Sequence, residues 1–330
     1  MSHAHTPACP ICETESEPAF WAGGYRMYRC RGCGASFVHP VPSDAALQEL
    51  YASFHLSDDE GGQYEEMENR MIADFPAKVA MVKRGMAGNA GFTDSRKIRL
   101  LDVGCGKGYF VKACRDAGIE AEGVDLSSSG VAFAREKLGV PARQGALADL
   151  KDDLGEFDVV TFWATIEHLA DPVGMLRDIA EVLKPGGRLL LDTGVGDDWL
   201  DRLLPGRVQW FDPPQHLFVF SVEGMRRALA AAGFADVHID SSYDRSALRR
   251  GMRLARNGAA AMMLRFGSTV SRLRSGTYEF RRYPIGNLMS VSAHKAARRV
   301  SAEPARVEKA AARSPLEVVV RGGMGVPAVR

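Results

Sequence analysis

The feature that most constrains the fold is a glycine-rich loop between a strand-like and a helical segment. Residues 98–103 form a short apolar run that ends at the loop GCGKG, residues 104–108, and a helical pattern follows over residues 109–117. A second strand-like segment, residues 120–125, ends in Asp125. A strand, a glycine loop and a helix bring main-chain N–H groups close to a polar ligand. An acid at the end of the next strand can accept both ribose hydroxyls of an adenosine group.

The alternation of strand-like and helical segments continues along the chain. The strand-like segments are residues 141–145, 157–163, 188–192 and 233–240, and the helical ones are residues 171–183 and 222–232. A β-α-β-α order predicts an α/β fold with a parallel, doubly wound sheet.

A glycine loop with a distant acid also begins an NAD site, and two residues separate the two interpretations. The dinucleotide fingerprint has glycine at the sixth loop position, where this chain has Tyr109. Asp102 directly precedes the loop, and a carboxylate there can hold a cationic amine. A methionine group has such an amine and a pyrophosphate does not. The loop therefore favours a ligand with an adenosine end and a methionine end.

Four cysteines near the start form two pairs with metal-binding spacing. Cys9 and Cys12 are separated by two residues, as are Cys30 and Cys33, and 17 residues lie between the pairs. Four thiolates complete a tetrahedral Zn²⁺ shell and leave no open position, so the spacing predicts a structural zinc ion. A module this small cannot bury enough apolar surface to fold unaided, and metal binding would supply its folding free energy. Redox chemistry of a C-x-x-C pair is the weaker interpretation.

Taken together, the motifs resemble those of class I S-adenosylmethionine-dependent methyltransferases. LDVGCGKG and GVD are followed by FDVV, IEHL and LKPGG, in the order and at the spacing of that family over about residues 97–295. The zinc knuckles before them resemble the zinc-ribbon subgroup of bacterial sugar, cell-envelope and natural-product methyltransferases. The resemblance implies a Rossmann-like sheet of seven strands, the last of them antiparallel, and S-adenosylmethionine as methyl donor.

The resemblance also implies which residues hold the donor. Carried over by position, they are Asp102, Gly104, Cys105, Gly106, Gly108, Asp125, Leu126, Ala146, Leu147, Phe162 and Trp163. Asp102 and the glycines would surround the methionine end, Asp125 would bind the ribose, and Leu126 would pack beside the adenine. Many relatives have an acid directly after the glycine of the third strand, where this chain has Ala146. Asp149, or the main chain of Leu147, would then contact the adenine.

Methyl transfer to a hydroxyl oxygen or a carbon atom needs a base near the acceptor, in addition to positioning and desolvation. His216 is the first candidate, because it follows two prolines in an aromatic loop after the fifth strand, where the substrate loops of this fold gather. A structural histidine bonded to a nearby carbonyl is an equally valid interpretation. Glu167 and His168, at the end of the fourth strand, are further candidates, although a general part in shaping the pocket also fits this pair.

Charge is distributed unevenly although the net charge is only +1. Residues 245–330 contain 18 Lys and Arg against 4 Asp and Glu, whereas residues 1–244 contain 24 against 37. In the insertion 244–284, apolar residues follow one helical face over residues 246–266 and arginines lie away from it. Such a helix can pack on its own domain, which is the favoured interpretation, contact an anionic membrane, which comes next, or bind a polyanion. The basic tail, residues 296–330, shows no clear period, which predicts disorder.

These patterns predict four regions and a cytoplasmic protein. The regions are a zinc ribbon (1–42), a helical linker or lid (43–96), a methyltransferase domain (97–295) and the tail. The start of the chain lacks the order of a signal peptide, and no run approaches the roughly 20 apolar residues of a spanning helix. Peripheral contact at the inner membrane surface is a further expectation from residues 246–266.

The expected acceptor is a small molecule or a glycan, and two other functions are weaker interpretations of the sequence. An RNA methyltransferase would use the zinc module and the basic tail to hold RNA. However, the module is not strongly basic, and FWAT at residues 162–165 replaces the Asn/Asp-Pro-Pro-Tyr/Phe tetrad that base-amine methylators often have. A degenerate, zinc-dependent interaction protein is disfavoured by the intact Asp102, glycine loop and Asp125.

Overall fold

The structure is a computed structural model. It describes residues 6–43, 45–47, 63–86, 98–197, 210–240 and 288–296, all within one compact unit. The predictions for the insertion 244–284, for its amphipathic part 246–266 and for the tail beyond residue 296 concern residues outside these ranges.

The N-terminal cysteines lie in a small antiparallel sheet of four described strands. Its strands are β1 (Ser16–Ala22), β2 (Tyr25–Cys30), β3 (Ser36–Val38) and β9 (Phe218–Val219), in that order. The first three follow one another in sequence, but β9 comes from a distant part of the chain. The predicted zinc ribbon is therefore completed by a strand from the large domain.

A second sheet of seven described strands forms the centre of the molecule. Its strands are β4 (Arg99–Val103), β5 (Glu120–Asp125), β6 (Ala142–Gln144), β7 (Phe157–Trp163), β8 (Leu183–Gly194), β10 (Phe234–Asp240) and β11 (Leu288–Lys295). They are ordered β10-β11-β8-β7-β4-β5-β6, and β11 runs antiparallel to both of its neighbours. The other described pairs are parallel. This confirms the Rossmann-like, seven-stranded α/β fold expected from the sequence.

Helices connect these strands and cover the sheet. The described helices are α1 (Gln63–Met86), α2 (Tyr109–Asp116), α3 (Ser128–Glu136), α4 (Leu147–Leu154), α5 (Pro172–Val182) and α6 (Val222–Ala231). Three of them begin with a side-chain cap, in which Ser127, Asp171 or Ser221 accepts a hydrogen bond from an amide three residues later. None of the described helices is both long and apolar enough to cross a membrane.

The position of β4 within the sheet creates the ligand crevice. The chain passes from β4 to β5 on one side, whereas β7 and β8 lie on the other side. The strand order therefore reverses at β4, and the carboxyl ends of β4 and β7 flank a topological switch point, which is where open α/β sheets bind ligands. All seven residues of β7 are buried, in agreement with its continuous apolar sequence.

One predicted boundary was wrong. The sequence predicts a helix over residues 171–183 and a separate strand over residues 188–192, with Lys184-Pro-Gly-Gly187 between them. Instead α5 ends at Val182 and β8 begins at Leu183, which pairs with Phe157. The pairing register shifts between Phe157 and Val159, so the strand accommodates the Pro-Gly-Gly run at an irregularity.

Candidate active site

The glycine loop turns tightly between β4 and α2. Gly104, Gly106 and Gly108 have φ values of 71°, 52° and 78°, in the left-handed region that other residues rarely adopt. A Cβ on Gly104 would lie 2.7 Å from Thr165 Oγ1, and one on Gly108 would lie 2.7 Å from the Ala134 Cβ. Both positions therefore need glycine for the backbone conformation and for close packing.

Asp125 lies at the carboxyl end of β5, directly against this loop. Its Oδ2 accepts a hydrogen bond from Gly106 N at 2.7 Å, and its Oδ1 accepts one from Ser127 N at 2.8 Å. The two bonds fix the carboxylate in one orientation at the edge of the crevice, and each oxygen keeps a further lone pair for a ligand.

The proposed adenine side is open. Leu126, directly after β5, is 58% exposed. Ala146 is half-buried at the start of α4, whereas the Leu147 side chain is buried, so any contact of Leu147 with the ring would come from its main chain. Asp149 is exposed in the first turn of α4.

Asp102 is buried, whereas Cys105 in the glycine loop is half-buried. Asp102 is 3% exposed, and its Oδ1 accepts a 2.7 Å hydrogen bond from Thr161 Oγ1. Burial raises the pKa of the Asp102 carboxyl to about 7, against the opposing effects of this bond and of Lys78. Burial also raises the pKa of the Cys105 thiol, which stays neutral. Its sulfur occupies the space that a Cβ at Gly123 would need.

Sequence reasoning missed a buried ion pair behind the end of β7. Lys78 Nζ of α1 lies 2.9 Å from Asp192 Oδ2 of β8, and both side chains are about 5% exposed. The ammonium also lies 4.3 Å from the centre of the Trp163 ring. Trp163 itself is 6% exposed, and Phe162 is fully buried, so their predicted donor contacts stay predictions.

The ion pair supports a strained residue. Ala164, directly after β7, has a φ of 45°, and its N–H donates to Asp192 Oδ1 at 2.9 Å. Positive φ values are costly for alanine and persist where the surroundings hold them, often at functional sites. No sequence signal pointed to Lys78, because its partner becomes a neighbour only in the folded chain.

Glu167, His168 and His216, the three predicted catalytic residues, come together. One ligating atom of each lies within 4.8 Å of the others, and the two imidazole rings are 4.8 Å apart and nearly perpendicular. The three ligating atoms are close enough together to hold a metal ion. The cluster joins the short helix Ile166–His168 to the loop 210–217, hereafter the His216 loop.

Hydrogen bonds orient the members of this cluster. His216 Nδ1 lies 2.9 Å from Trp210 O, and His168 Nδ1 lies 2.8 Å from Gln215 O. A carbonyl can only accept, so Nδ1 donates in both rings, and His216 presents its Nε2 lone pair. The carboxylate of Glu167 accepts from Thr193 Oγ1 at 2.9 Å.

Burial favours the neutral forms of all three side chains in the cluster. It lowers the pKa of His168 and of His216 and raises the pKa of Glu167. The hydrogen bond of His216 to the Trp210 carbonyl agrees with a structural histidine, and its position beside Glu167 agrees with a catalytic base.

The four cysteine sulfurs converge in the small sheet. Cys9 Sγ lies 3.7 Å from Cys33 Sγ, Cys12 Sγ lies 3.4 Å from Cys30 Sγ, and all four lie within 4.8 Å of one another. A tetrahedral zinc ion with Zn–S bonds of about 2.3 Å requires sulfurs about 3.8 Å apart. The main-chain N–H groups of Gly32 and Cys33 point at Cys30 Sγ at 3.3 Å, which suits a thiolate. The donor set therefore fits a zinc ion.

Comparison with known proteins supports the interpretation of the large domain. Residues 78–239 match the profile of a methyltransferase domain family. A ubiquinone biosynthesis O-methyltransferase of Xanthomonas oryzae pv. oryzae (strain PXO99A) is 35% identical over 124 residues, which cover 32% of this chain and 52% of that protein. One from Xanthomonas campestris pv. campestris (strain B100) is 36% identical with the same coverage. The chain thus spans about half the length of the curated relatives it matches.

Solved methyltransferase structures align with most of the described fold. Magnesium protoporphyrin IX methyltransferase from Synechocystis PCC 6803 aligns with a TM-score of 0.49 and 16% identity, over 77% of this chain and 100% of that one. An S-adenosylmethionine-dependent methyltransferase from Archaeoglobus fulgidus aligns with a TM-score of 0.45 and 18% identity, over 71% and 100%. Over residues 78–239, which hold the glycine loop, Asp125 and the three predicted catalytic residues, the chain is thus similar to the methyltransferase domain family.

Proposed function

We propose that this chain transfers the methyl group of S-adenosylmethionine to a hydroxyl oxygen of a small-molecule acceptor. The observation that carries the proposal is the fixed carboxylate of Asp125, held by the amides of Gly106 and Ser127 at the carboxyl edge of the sheet. Oxygen is favoured over carbon because the curated relatives are named O-methyltransferases. A sugar hydroxyl remains within this acceptor class.

The donor is bound by groups on both sides of the glycine loop. Asp125 accepts the ribose hydroxyls, and the exposed Leu126 side chain covers one face of the adenine. Asp102 and the loop amides receive the methionine end, where a cationic amine would favour the ionised form of the buried carboxyl. When bound, the donor supplies an already activated methyl group, so the chain's main task is positioning.

The acceptor is placed against the cluster of Glu167, His168 and His216. The oxygen–carbon bond forms as the carbon–sulfur bond of the donor breaks, and the acceptor's proton passes to the cluster. His216 is the proposed base, because its Nδ1 is engaged with Trp210 O and its Nε2 lone pair is directed away from that bond. The ring of His168 packs against it at a centroid distance of 4.8 Å, and Glu167 lies beside it.

The cysteine cluster is proposed to hold a structural Zn²⁺ ion. Cys9, Cys12, Cys30 and Cys33 supply a complete tetrahedral shell, so the ion has no open position for chemistry. Contact of residues 246–266 with an anionic membrane stays a separate prediction, which flotation with anionic liposomes would test.

Calorimetric titration of the zinc-loaded chain tests the donor site. We expect S-adenosylmethionine and S-adenosylhomocysteine to bind with micromolar affinity and NAD not to bind. Asp125→Ala should weaken donor binding by roughly a hundredfold or more, since it removes two hydrogen bonds to a charged group, each of which contributes about 1.5–3 kcal/mol. Asp152→Ala removes an exposed acid from α4 and is the matched control. Equal donor affinity in the two variants would disprove the ribose role of Asp125.

The acceptor side is tested separately with His216→Ala. Conversion of S-adenosylmethionine to S-adenosylhomocysteine should be followed with a panel of phenolic and sugar hydroxyl acceptors. The variant should lose turnover with every acceptor that the natural chain methylates, and it should keep its donor affinity. Full turnover in the variant would remove His216 from the mechanism.

A further inference from the structure

The His216 loop ends in a strand of the cysteine-bearing sheet. Two residues after His216, Phe218 pairs with Phe37 and Val219 pairs with Ser36. Immediately before this pairing, Val38 N donates to Leu217 O at 2.9 Å. The main chain that follows His216 is therefore hydrogen-bonded to β3, which comes just after the second cysteine pair.

The helix that follows this strand contacts the cysteine site itself. Ser221 is 1% exposed, and its Oγ donates to Cys33 O while it accepts from Gly224 N at 2.7 Å. The carbonyl of a predicted zinc ligand thus has its hydrogen-bond donor at the N-terminal cap of α6. Such outer contacts orient metal ligands and connect a metal site to its surroundings.

Aromatic packing continues the connection through the core. Tyr28, Phe37, Phe218 and Phe220 form a continuous stack, with centroid separations of 6.3, 5.9 and 5.8 Å and interplanar angles of 25°. Phe37, Phe218 and Phe220 are almost completely buried. Because close-packed interiors transmit displacement, a shift of β3 would shift β9 with it.

The opposite side of the His216 loop is bonded to the end of β7. Leu217 N donates to Glu167 O at 2.8 Å, and the ring of His168 is bonded to Gln215 O. The His216 loop therefore lies between the cysteine-bearing sheet and the other two members of the cluster. The donor loop is bonded elsewhere, to β5, through Gly104 N to Val124 O at 2.8 Å and Gly106 N to Asp125.

We propose that the zinc ribbon is a positioning element for the acceptor side, and that its metal-loaded form fixes the His216 loop. Ser36, Phe37 and Val38 carry out this positioning through β9, and Ser221 does so through the carbonyl of Cys33. Without the metal, four thiols have to be accommodated in the turns at the end of a sheet too small for a core of its own, and β3 loses its fixed place. The donor loop keeps its bonds to β5, so donor binding persists.

Hydrogen exchange on the full chain, with and without zinc, tests this proposal. After zinc is removed with a chelator, amide exchange within residues 210–221 should accelerate roughly tenfold or more, because local opening no longer needs global unfolding. Residues 101–106 and 123–127 should keep their protection, and affinity for S-adenosylhomocysteine should stay within about threefold. Adding zinc back should restore the protection of residues 210–221.

Two results would overturn the proposal. One is unchanged exchange in residues 210–221 after zinc removal, which would make the ribbon an independent appendage. The other is equal loss of protection in the donor segments, which would make zinc a requirement for the whole domain.

Ser221→Ala keeps all four cysteines and provides a second, milder perturbation. It should accelerate exchange in residues 210–221, whereas Ser127→Ala, at the cap of α3, should leave these residues unchanged. Equal exchange in the two variants would count against the role of Ser221. The functional meaning of the inference rests on the proposed role of His216, but the exchange measurement does not, so the two can fail independently.

Discussion

Replacement of Ser221 by alanine should destabilise the chain more than the loss of an ordinary helix cap. The Ser221 hydroxyl caps α6 through Gly224 N, and loss of such a cap costs about 1 kcal/mol. It is also the hydrogen-bond donor to Cys33 O, in a position that is 1% exposed. Leaving a buried acceptor without its donor costs about 1–3 kcal/mol more. We therefore expect a loss of roughly 2–4 kcal/mol in the free energy of unfolding.

Ser127→Ala is the matched control for this experiment. Ser127 caps α3 by accepting from Gly130 N at 3.1 Å, but it is half-buried. Its loss should cost about 1 kcal/mol. Urea unfolding of the zinc-loaded variants, followed by circular dichroism, gives both values from the shift of the midpoint at constant m. Equal losses in the two variants would show that the bond to Cys33 O contributes nothing, and the argument for coupling through Ser221 would fail.

Three other perturbations follow from the same structure. Lys78→Met leaves the Asp192 carboxylate buried without its ammonium partner, and it should lower the free energy of unfolding in urea by about 3–5 kcal/mol. A decrease below about 1 kcal/mol would mean that the ion pair is hydrated. The raised pKa of Asp102, about 7 against 3.8, means that its contribution to stability is complete below about pH 4 and is lost as the pH rises to about 7. Asp102→Asn should remove that part of the pH dependence of the urea midpoint, and an unchanged dependence would refute the assignment. Gly108→Ala should lower the free energy of unfolding more than Gly118→Ala, because both residues have positive φ but only Gly108 has a neighbour within 3 Å of the new Cβ. Equal decreases would show that this neighbour moves aside without cost.

The donor side could be predicted from the sequence because it is built from contiguous segments. The residues from β4 to the end of β5 hold the glycine loop, Asp102 and Asp125, and their bonds lie largely within this stretch. Local turn chemistry and strand periodicity therefore predicted both the elements and their order. The convergence of the four cysteine sulfurs followed in the same way from the spacing of two short turns.

The acceptor side was predicted only as a set of candidate residues. Glu167, His168 and His216 were singled out, but their convergence depends on a loop that returns to β7 from beyond β8. Strand β9 has two residues, which is too short for periodicity to reveal. The pair of Lys78 and Asp192 joins positions 114 residues apart through tertiary packing, which leaves no pattern in the sequence.

The contacts on both sides of the His216 loop limit how this loop can vary. Proteins that share a fold change their substrates through loops, and loops usually tolerate such change because few other contacts depend on them. The His216 loop is different, because it is bonded to Glu167 on one side and to β3 of the cysteine-bearing sheet on the other. A change of loop length would displace Phe218 from Phe37 and would pull on the carbonyl of Cys33 through Ser221. We therefore expect the cysteine-bearing sheet to restrict the lengths that the His216 loop can adopt, because the same contacts hold His216 in one place.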